Sequence, residues 1–221
     1  MEERGILILG AGEQARVVLD ILREKGEEVF GLIDICNNPS LWGEEIKGYK
    51  ILNGMSILPG ILKRGIKRAI VAFGDNKKRI EVGKSAKDLG FRLINAISPF
   101  AFVSKEVRLG EGIVIGPKVV INTDVEIGDN AIINSGAIIE HDCIIEEGVH
   151  IAPGVSLAGG VRVRRCAFVG IGATVIDDLT IGENSIIGAG SVIIKNIPDN
   201  VTVVGVPGRI IKEHNQCTSI I

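Results

Sequence analysis

Of the three histidines in this 221-residue chain, His141 has an acid on either side, Glu140 and Asp142. An imidazole held and polarised by a carboxylate is the natural proton acceptor when an amine or hydroxyl attacks a thioester, because its pKa lies near neutrality. Gly159, in the run LAGG, follows eighteen residues later. A glycine there lets a thioester lie close to the backbone, and its N–H can stabilise a developing oxyanion. Cys143 stands near enough to His141 to suggest a nucleophile, but it occupies a small inward-facing position and reads as core. The four cysteines, Cys36, Cys143, Cys166 and Cys217, show no C-x-x-C spacing. Neither a disulfide framework nor a zinc site is therefore expected, and no metal is.

A second candidate for chemistry lies near the N-terminus. The apolar run 5–10 leads into Gly10-Ala11-Gly12-Glu13-Gln14-Ala15, a G-x-G-x-x-A turn before a helical stretch. Glycines in such a turn let backbone N–H groups approach a phosphate at the helix N-terminus. Asp34 ends the next predicted strand, at the distance where dinucleotide folds carry an acid. Residues 1–97 are too few for a full dinucleotide sheet, so a mononucleotide-sized ligand is expected. A packing turn with no ligand is the alternative reading.

The elements that must position these residues fall into two halves. From Val103 to Ile193 every sixth residue is Ile, Leu or Val, without a break in register. A second lattice, two residues earlier, runs from Ala101 through Cys143 to Ser191 and is small or aliphatic throughout. Residues two apart on a strand share a face, so both lattices are expected to point inward. Three six-residue sides make a triangular coil of eighteen, each coil covering the strand edges of the next. His141 lies off both lattices, which places its ring outside, one coil from Gly159. The residue after each aliphatic is often Gly (Gly110, Gly116, Gly128, Gly170, Gly182, Gly188) or Asn (Asn122, Asn134). These positions are expected to supply the positive φ of the corners.

In residues 1–97, apolar runs at 5–10, 28–34, 68–74 and 91–97 alternate with helical stretches over about 13–25 and 76–89. That order predicts a small Rossmann-like parallel α/β sheet. Pro99 marks the join, and 196–200 breaks the lattice ahead of a tail. The expected division is 1–97, 98–195 and 196–221. Basic and acidic residues nearly balance, 25 against 27, so no nucleic-acid footprint is present. The N-terminal apolar run is too short for a signal peptide or membrane span. A soluble, cytoplasmic protein with no membrane partner is expected.

The motifs GAGEQARVVLDIL, GLID, AFGDNKKR, SPFAFVS, INSGAIIEHDC, VHIAPGVSLAGGV, IGAGSVI and VVGVPGR occur in that order along nearly the whole chain. In these the chain resembles the bacterial sugar acetyltransferases of the hexapeptide-repeat family, of the sialic-acid O-acetyltransferase and bacillosamine N-acetyltransferase type. The resemblance implies that the coils form a left-handed parallel β-helix, a hand the period alone does not fix. It implies a homotrimer with sites between subunits, acetyl-CoA as co-substrate, and a nucleotide sugar held by the N-terminal domain. Carried over, His141 would be general base with Asp142 as its partner, and Asn134 and His150 would line the transfer site, His150 from a neighbouring subunit. Gly159, Ile171 and Ala189 would contact the CoA arm, and the VVGVPGR tail would close over it. Gly12, Glu13, Gln14, Asp34 and the turn Gly74-Asp75-Asn76 would lie near the nucleotide sugar. The family pattern G-x-G-G-H is altered here at Glu13 and Gln14, and its H-P pair is Ser98-Pro99.

The reaction these readings point to is N-acetylation of a nucleotide-linked amino-sugar. Acetylation of a sugar hydroxyl, as on a sialic acid, is the nearest alternative. A trimeric scaffold that binds ligands without chemistry is a second, and a nicotinamide oxidoreductase, suggested by the glycine loop alone, a third.

Overall fold

The computed structural model describes residues 5–214; Cys217 and the end of the predicted tail, 215–221, lie outside the described residues. Strands β1 (Ile6–Leu9), β2 (Val29–Ile33), β3 (Glu45–Ile46), β4 (Tyr49–Leu52), β5 (Arg68–Val71) and β6 (Arg92–Leu93) form one sheet in the order β3-β4-β2-β1-β5-β6. All its pairings are parallel except β3 with β4. Helix α1 (Glu13–Glu24) follows β1, α2 (Leu58–Lys63) precedes β5, and α3 (Asn76–Leu89) follows β5. The fully apolar β1 is buried along its whole length, as a central parallel strand covered on both faces must be. Strand order reverses beside β1, so the loops after β1 and β5 meet at a topological switch point. Gly10 is required there: its φ is +138° and a Cβ would come within 2.3 Å of Ala72 O.

Beyond Asn95 the chain winds into coils of two-residue strands on three parallel sheets. Up to the last coil each strand pairs with the one eighteen residues on, as Val114 with Ile132, Val120 with Ile138 and Glu126 with Ile144. Both inward lattices are buried from Ile113 to Ala173, with Ser185 and Ser191 closing the small lattice near the end. The coiled core and the α/β domain meet where Ala96, Val114 and Ile132 pack into the cluster that holds Ile6, Ile8 and the apolar side of α1, and where α3 bonds to the adjoining corner at Asn130, Gly148 and Cys166. Across the sheet, Leu7, Leu9 and Val71 pack against α2 and α3.

The predicted alternation of strand and helix is present, and so is the β-helix that follows it. Three details differ. The run 91–97 is two strands: β6 completes the α/β sheet, whereas Ala96–Ile97 pairs with Val114–Ile115 and opens the first coil. The segment 39–63, to which the sequence pattern assigns no element, supplies β3, β4 and α2. Corner glycines also act differently from expectation. From Leu109 to Ile187, positive φ falls three residues after each aliphatic, at Gly112, Lys118, Asp124, Asn130, Gly136, Asp142 and their successors, and not at Gly110, Gly116, Asn122 or Asn134. The glycines after the aliphatics serve close approach between coils instead. A Cβ on Gly116 would lie 2.8 Å from Ser135 N, and one on Gly128 2.7 Å from Glu147 N.

The tail is a hairpin. Val201–Val204 adds to the sheet beside Ile186–Ile187, and Arg209–Glu213 pairs antiparallel with it. Its turn is tied to the last coil by Gly208 N–H donating to Val192 O. Among the described residues no helix is long and apolar enough to cross a membrane.

Candidate active site

His141 stands on a corner between the sheets of Ile138–Ile139 and Ile144–Ile145, exposed, with its Nδ1 2.8 Å from Asp142 Oδ2. Asp142 takes the left-handed corner conformation, φ 60°, which turns its carboxylate back toward the ring of the preceding residue. A carboxylate can only accept, so Nδ1 carries the proton and Nε2 is left as the basic atom. The bond to Asp142 raises the His141 pKa, with smaller help from the charges of Asp142, Glu140 and Asp178. All three acids belong to the coils. The imidazole lies over Gly159, where a Cβ would come within 2.6 Å of the ring. Gly160 N–H donates to His141 O and Asp178 N–H to Gly159 O, locking three coils together at this corner. The Gly159 N–H itself has no partner among the described residues.

Cys143, two residues on, is fully buried. Its Sγ donates to Ala158 O at 3.2 Å, and desolvation pushes the thiol pKa up to about 11. It is a core side chain.

A second group gathers on the previous corner. Asn134 Nδ2 lies 3.5 Å from His150 Nε2, and His150 packs edge-on against Phe168 with ring centroids 5.1 Å apart. Burial, with the nearby charge of Arg79, pulls the His150 pKa down to about 4, so the ring is neutral at physiological pH. On the same corner, Gly190 N–H donates to Ile171 O, stacking Ala189 above Ile171, both exposed. The residues predicted for the transfer site therefore fall into two groups on one chain: His141, Asp142 and Gly159 on one corner, and Asn134, His150, Ile171 and Ala189 along the other.

In the α/β domain, Gly12 is the N-cap of α1, open on its side-chain side, with Glu13 exposed in the first turn and Gln14 partly covered. Gly74, Asp75 and Asn76 lie across the switch point, where Asp75 caps α3 by accepting from Lys78 N–H at 2.9 Å. Asp34 is buried and turned inward. It accepts from the N–H groups of Cys36 and Asn38 and from Trp42 Nε1, and so organises the loop after β2. A cavity of about 780 Å³ opens between the turn 74–77 and the coil face of Cys166, Phe168 and Ile186.

The sequence reading missed two residues here, Phe168 and Arg79. Phe168 sits one coil above His150, a position the eighteen-residue step marks. Arg79 hides in the run Lys77-Lys78-Arg79, which reads as a solvated face. Its spacing from Val82, Gly83 and Ala86 is that of a buried helical stripe, a signal that was available.

Residues 5–86 match the family described as PglD N-terminal domain, and 106–141 and 124–159 match the bacterial transferase hexapeptide family. Among solved structures, PerB from Caulobacter crescentus, in complex with CoA and GDP-perosamine, is 43% identical with a TM-score of 0.90, covering 94% of this chain and 97% of that one. The same bacterium's perosamine N-acetyltransferase, solved with both ligands and with a histidine replaced by asparagine, is 42% identical, with a TM-score of 0.91 over 95% of this chain and 97% of that one. The acetyltransferase domain of PglB from Neisseria gonorrhoeae, in complex with acetyl coenzyme A, is 31% identical, with a TM-score of 0.87 over 95% of this chain and all of that one. Serine acetyltransferase from Bacillus pumilus shares 44% identity over 50 residues, 23% of either chain. The chain thus spans about a quarter of the length of the curated relatives it matches.

Proposed function

The chain belongs to the hexapeptide-repeat nucleotide-sugar acetyltransferases, and from that premise we propose that it transfers acetyl from acetyl-CoA to the amino group of a nucleotide-linked amino-sugar, with His141 as general base. The observation that carries this reading is the pairing of His141 with Asp142 directly over Gly159. The amine nitrogen attacks the thioester carbonyl carbon and its proton passes to His141 Nε2. The free N–H of Gly159 is the donor at hand for the tetrahedral oxyanion. When the C–S bond breaks, the imidazolium returns the proton to the departing CoA sulfur. Because Asp142 raises the His141 pKa, the active neutral form is lost as pH falls through a value above the ordinary 6.5.

A homotrimer is part of the same proposal. The two half-sites of one chain lie on different corners, and the α/β domain packs on neither side of His141. A ring of three copies, joined head to tail, would bring one chain's His141 corner against the next chain's Asn134–His150 corner. Phe100, Phe102, Ile138 and Ile171 are exposed along the coils and available to such a contact. Gly12, Glu13, Gln14 and the turn 74–76 surround the place for the nucleotide, while Asp34 supports it from behind. The two substrates, both nucleotide-bearing and membrane-impermeant, fit a cytoplasmic enzyme.

The test is CoA release with GDP-perosamine, a UDP-linked 4-amino-sugar and free sialic acid as acceptors. Turnover is expected with a nucleotide amino-sugar. His141→Ala should lower kcat by roughly 10²–10⁴-fold, the usual worth of a positioned base. Full turnover by that variant would remove His141 from the mechanism, and turnover of sialic acid alone would shift the chemistry to a hydroxyl.

A further inference from the structure

Arg79 is a guanidinium with no exposed surface, and among the described residues it makes no ion pair. Its donors are taken up by oxygens on both sides of the domain junction. Toward the coils, Nε donates to Asn130 O at 2.7 Å and Nη2 to Gly148 O at 2.9 Å. Toward its own domain, Nη1 donates to Phe73 O at 3.0 Å and Gly74 O at 3.2 Å, and Nη2 to Asn76 Oδ1 at 2.9 Å. Asn76 then crosses back: its Nδ2 donates to Cys166 O at 3.0 Å and Ala167 O at 3.1 Å. Burying a cation without a carboxylate is costly, and burial pulls this guanidinium's pKa down to about 10. An apolar side chain would close an ordinary helix–coil contact at less cost.

The atoms this pair holds have a common feature. Gly74, Asp75 and Asn76 shape one wall of the 780 Å³ cavity, and Cys166 and Phe168 the other. Gly148, held by Arg79, stands two residues before His150, whose ring rests on Phe168. We propose that Arg79 and Asn76 are positioning residues, a clamp that fixes the separation of the two cavity walls and with it the place of the acceptor sugar relative to His150. Arg79, with no exposed surface, touches neither substrate, and Asn76 acts by holding the opposite wall through Cys166 O and Ala167 O. It rests on the amino-sugar reading above, since it assigns the cavity to that acceptor.

The experiment compares wild type, Arg79→Lys, Asn76→Ala and the double variant in steady-state kinetics, with GDP-perosamine and a UDP-linked 4-amino-sugar as probes. Arg79→Lys keeps the cation but reaches fewer carbonyls. Expected is a loss of about 10²-fold in kcat/KM for the sugar nucleotide, the scale of an ångström's misplacement. The KM for acetyl-CoA should stay within about twofold, and the double variant should lose no more than the worse single, as members of one unit do. A general loosening of the fold would move the acetyl-CoA KM in step with the sugar's, and that result overturns the clamp. So do single losses that multiply in the double variant, or variants at wild-type level. Should Arg79→Lys not fold, Arg79→Gln, which keeps N–H donors without the buried charge, is judged by the same split between substrates. Failure of the underlying reading looks different: wild type turning over neither probe sinks both ideas, while a fully active His141→Ala removes the base and leaves the clamp to its own kinetics.

Discussion

At Gly159 the missing side chain is what gives His141 its seat. A Cβ there would stand 2.6 Å from ring carbon Cε1 and 2.8 Å from Nε2, so Gly159→Ala must push the imidazole off the coil. Since the ring is exposed and not part of the core, stability should change little while kcat drops on the order of 10²-fold. Steady-state rates beside a melting curve would show whether the two separate. His150 answers to different physics. Its pKa is ordinary when unfolded and about 4 when folded, so the unfolded state binds more protons and stability falls as pH drops from 6.5 toward 4. The loss should approach ~3 kcal/mol, and His150→Gln should abolish that part of the pH dependence in denaturant titrations. The seat of His141 over Gly159 was legible in sequence because the period gives each residue both a direction and a neighbour. The inward turn of Asp34 was not, because three donors from a loop without pattern decide it.

The coil as an element separates two uses of glycine that look alike in the sequence. Gly128 has an ordinary φ but faces the backbone of the next coil, with Glu147 N 2.7 Å from where a Cβ would be. Gly136 has φ +70° and open space. Gly128→Ala must spread the coils and should cost about 1–3 kcal/mol, as overpacking does. Gly136→Ala should cost about 1 kcal/mol of backbone strain, and Gly136→Asn less, because Asn tolerates that conformation. Chemical denaturation of the three variants gives the ranking, and equal costs at both sites would contradict the division of roles. The β-helix was legible because an inward lattice admits only aliphatic or small residues for coil after coil. The segment 39–63 was not, since its strands are two and four residues long and its helix six, too short for a period to show.

For the whole molecule, the separation of the two half-sites makes a statement about assembly. If each site takes its His141 corner from one chain and its His150 corner from the next, neither variant alone needs to be hopeless in company. Mixing inactive His141→Ala with inactive His150→Ala chains, after dissociation and reassociation, should restore about a quarter of wild-type activity, the share of junctions with both corners intact. Sedimentation would establish three chains per particle beforehand. No recovery in a verified mixed trimer would place both histidines in one chain's site and discard the proposed arrangement.

Pairing each strand with the one eighteen residues on also governs how such a chain can vary in length. Inside the coiled half, residues can be gained or lost without penalty only in whole turns, because six or twelve move every later strand onto another sheet, and a number that is not a multiple of six throws the inward lattices onto the outer faces. Other insertions have to bulge from a corner and leave the rungs alone. A full turn added between Gly159 and the terminal hairpin would lengthen the flank by one strand spacing, about 4.8 Å, and His141 would not move. The coils are a graduated scale: the His141 corner fixes its zero, and the reach available to an extended ligand is counted off in rungs.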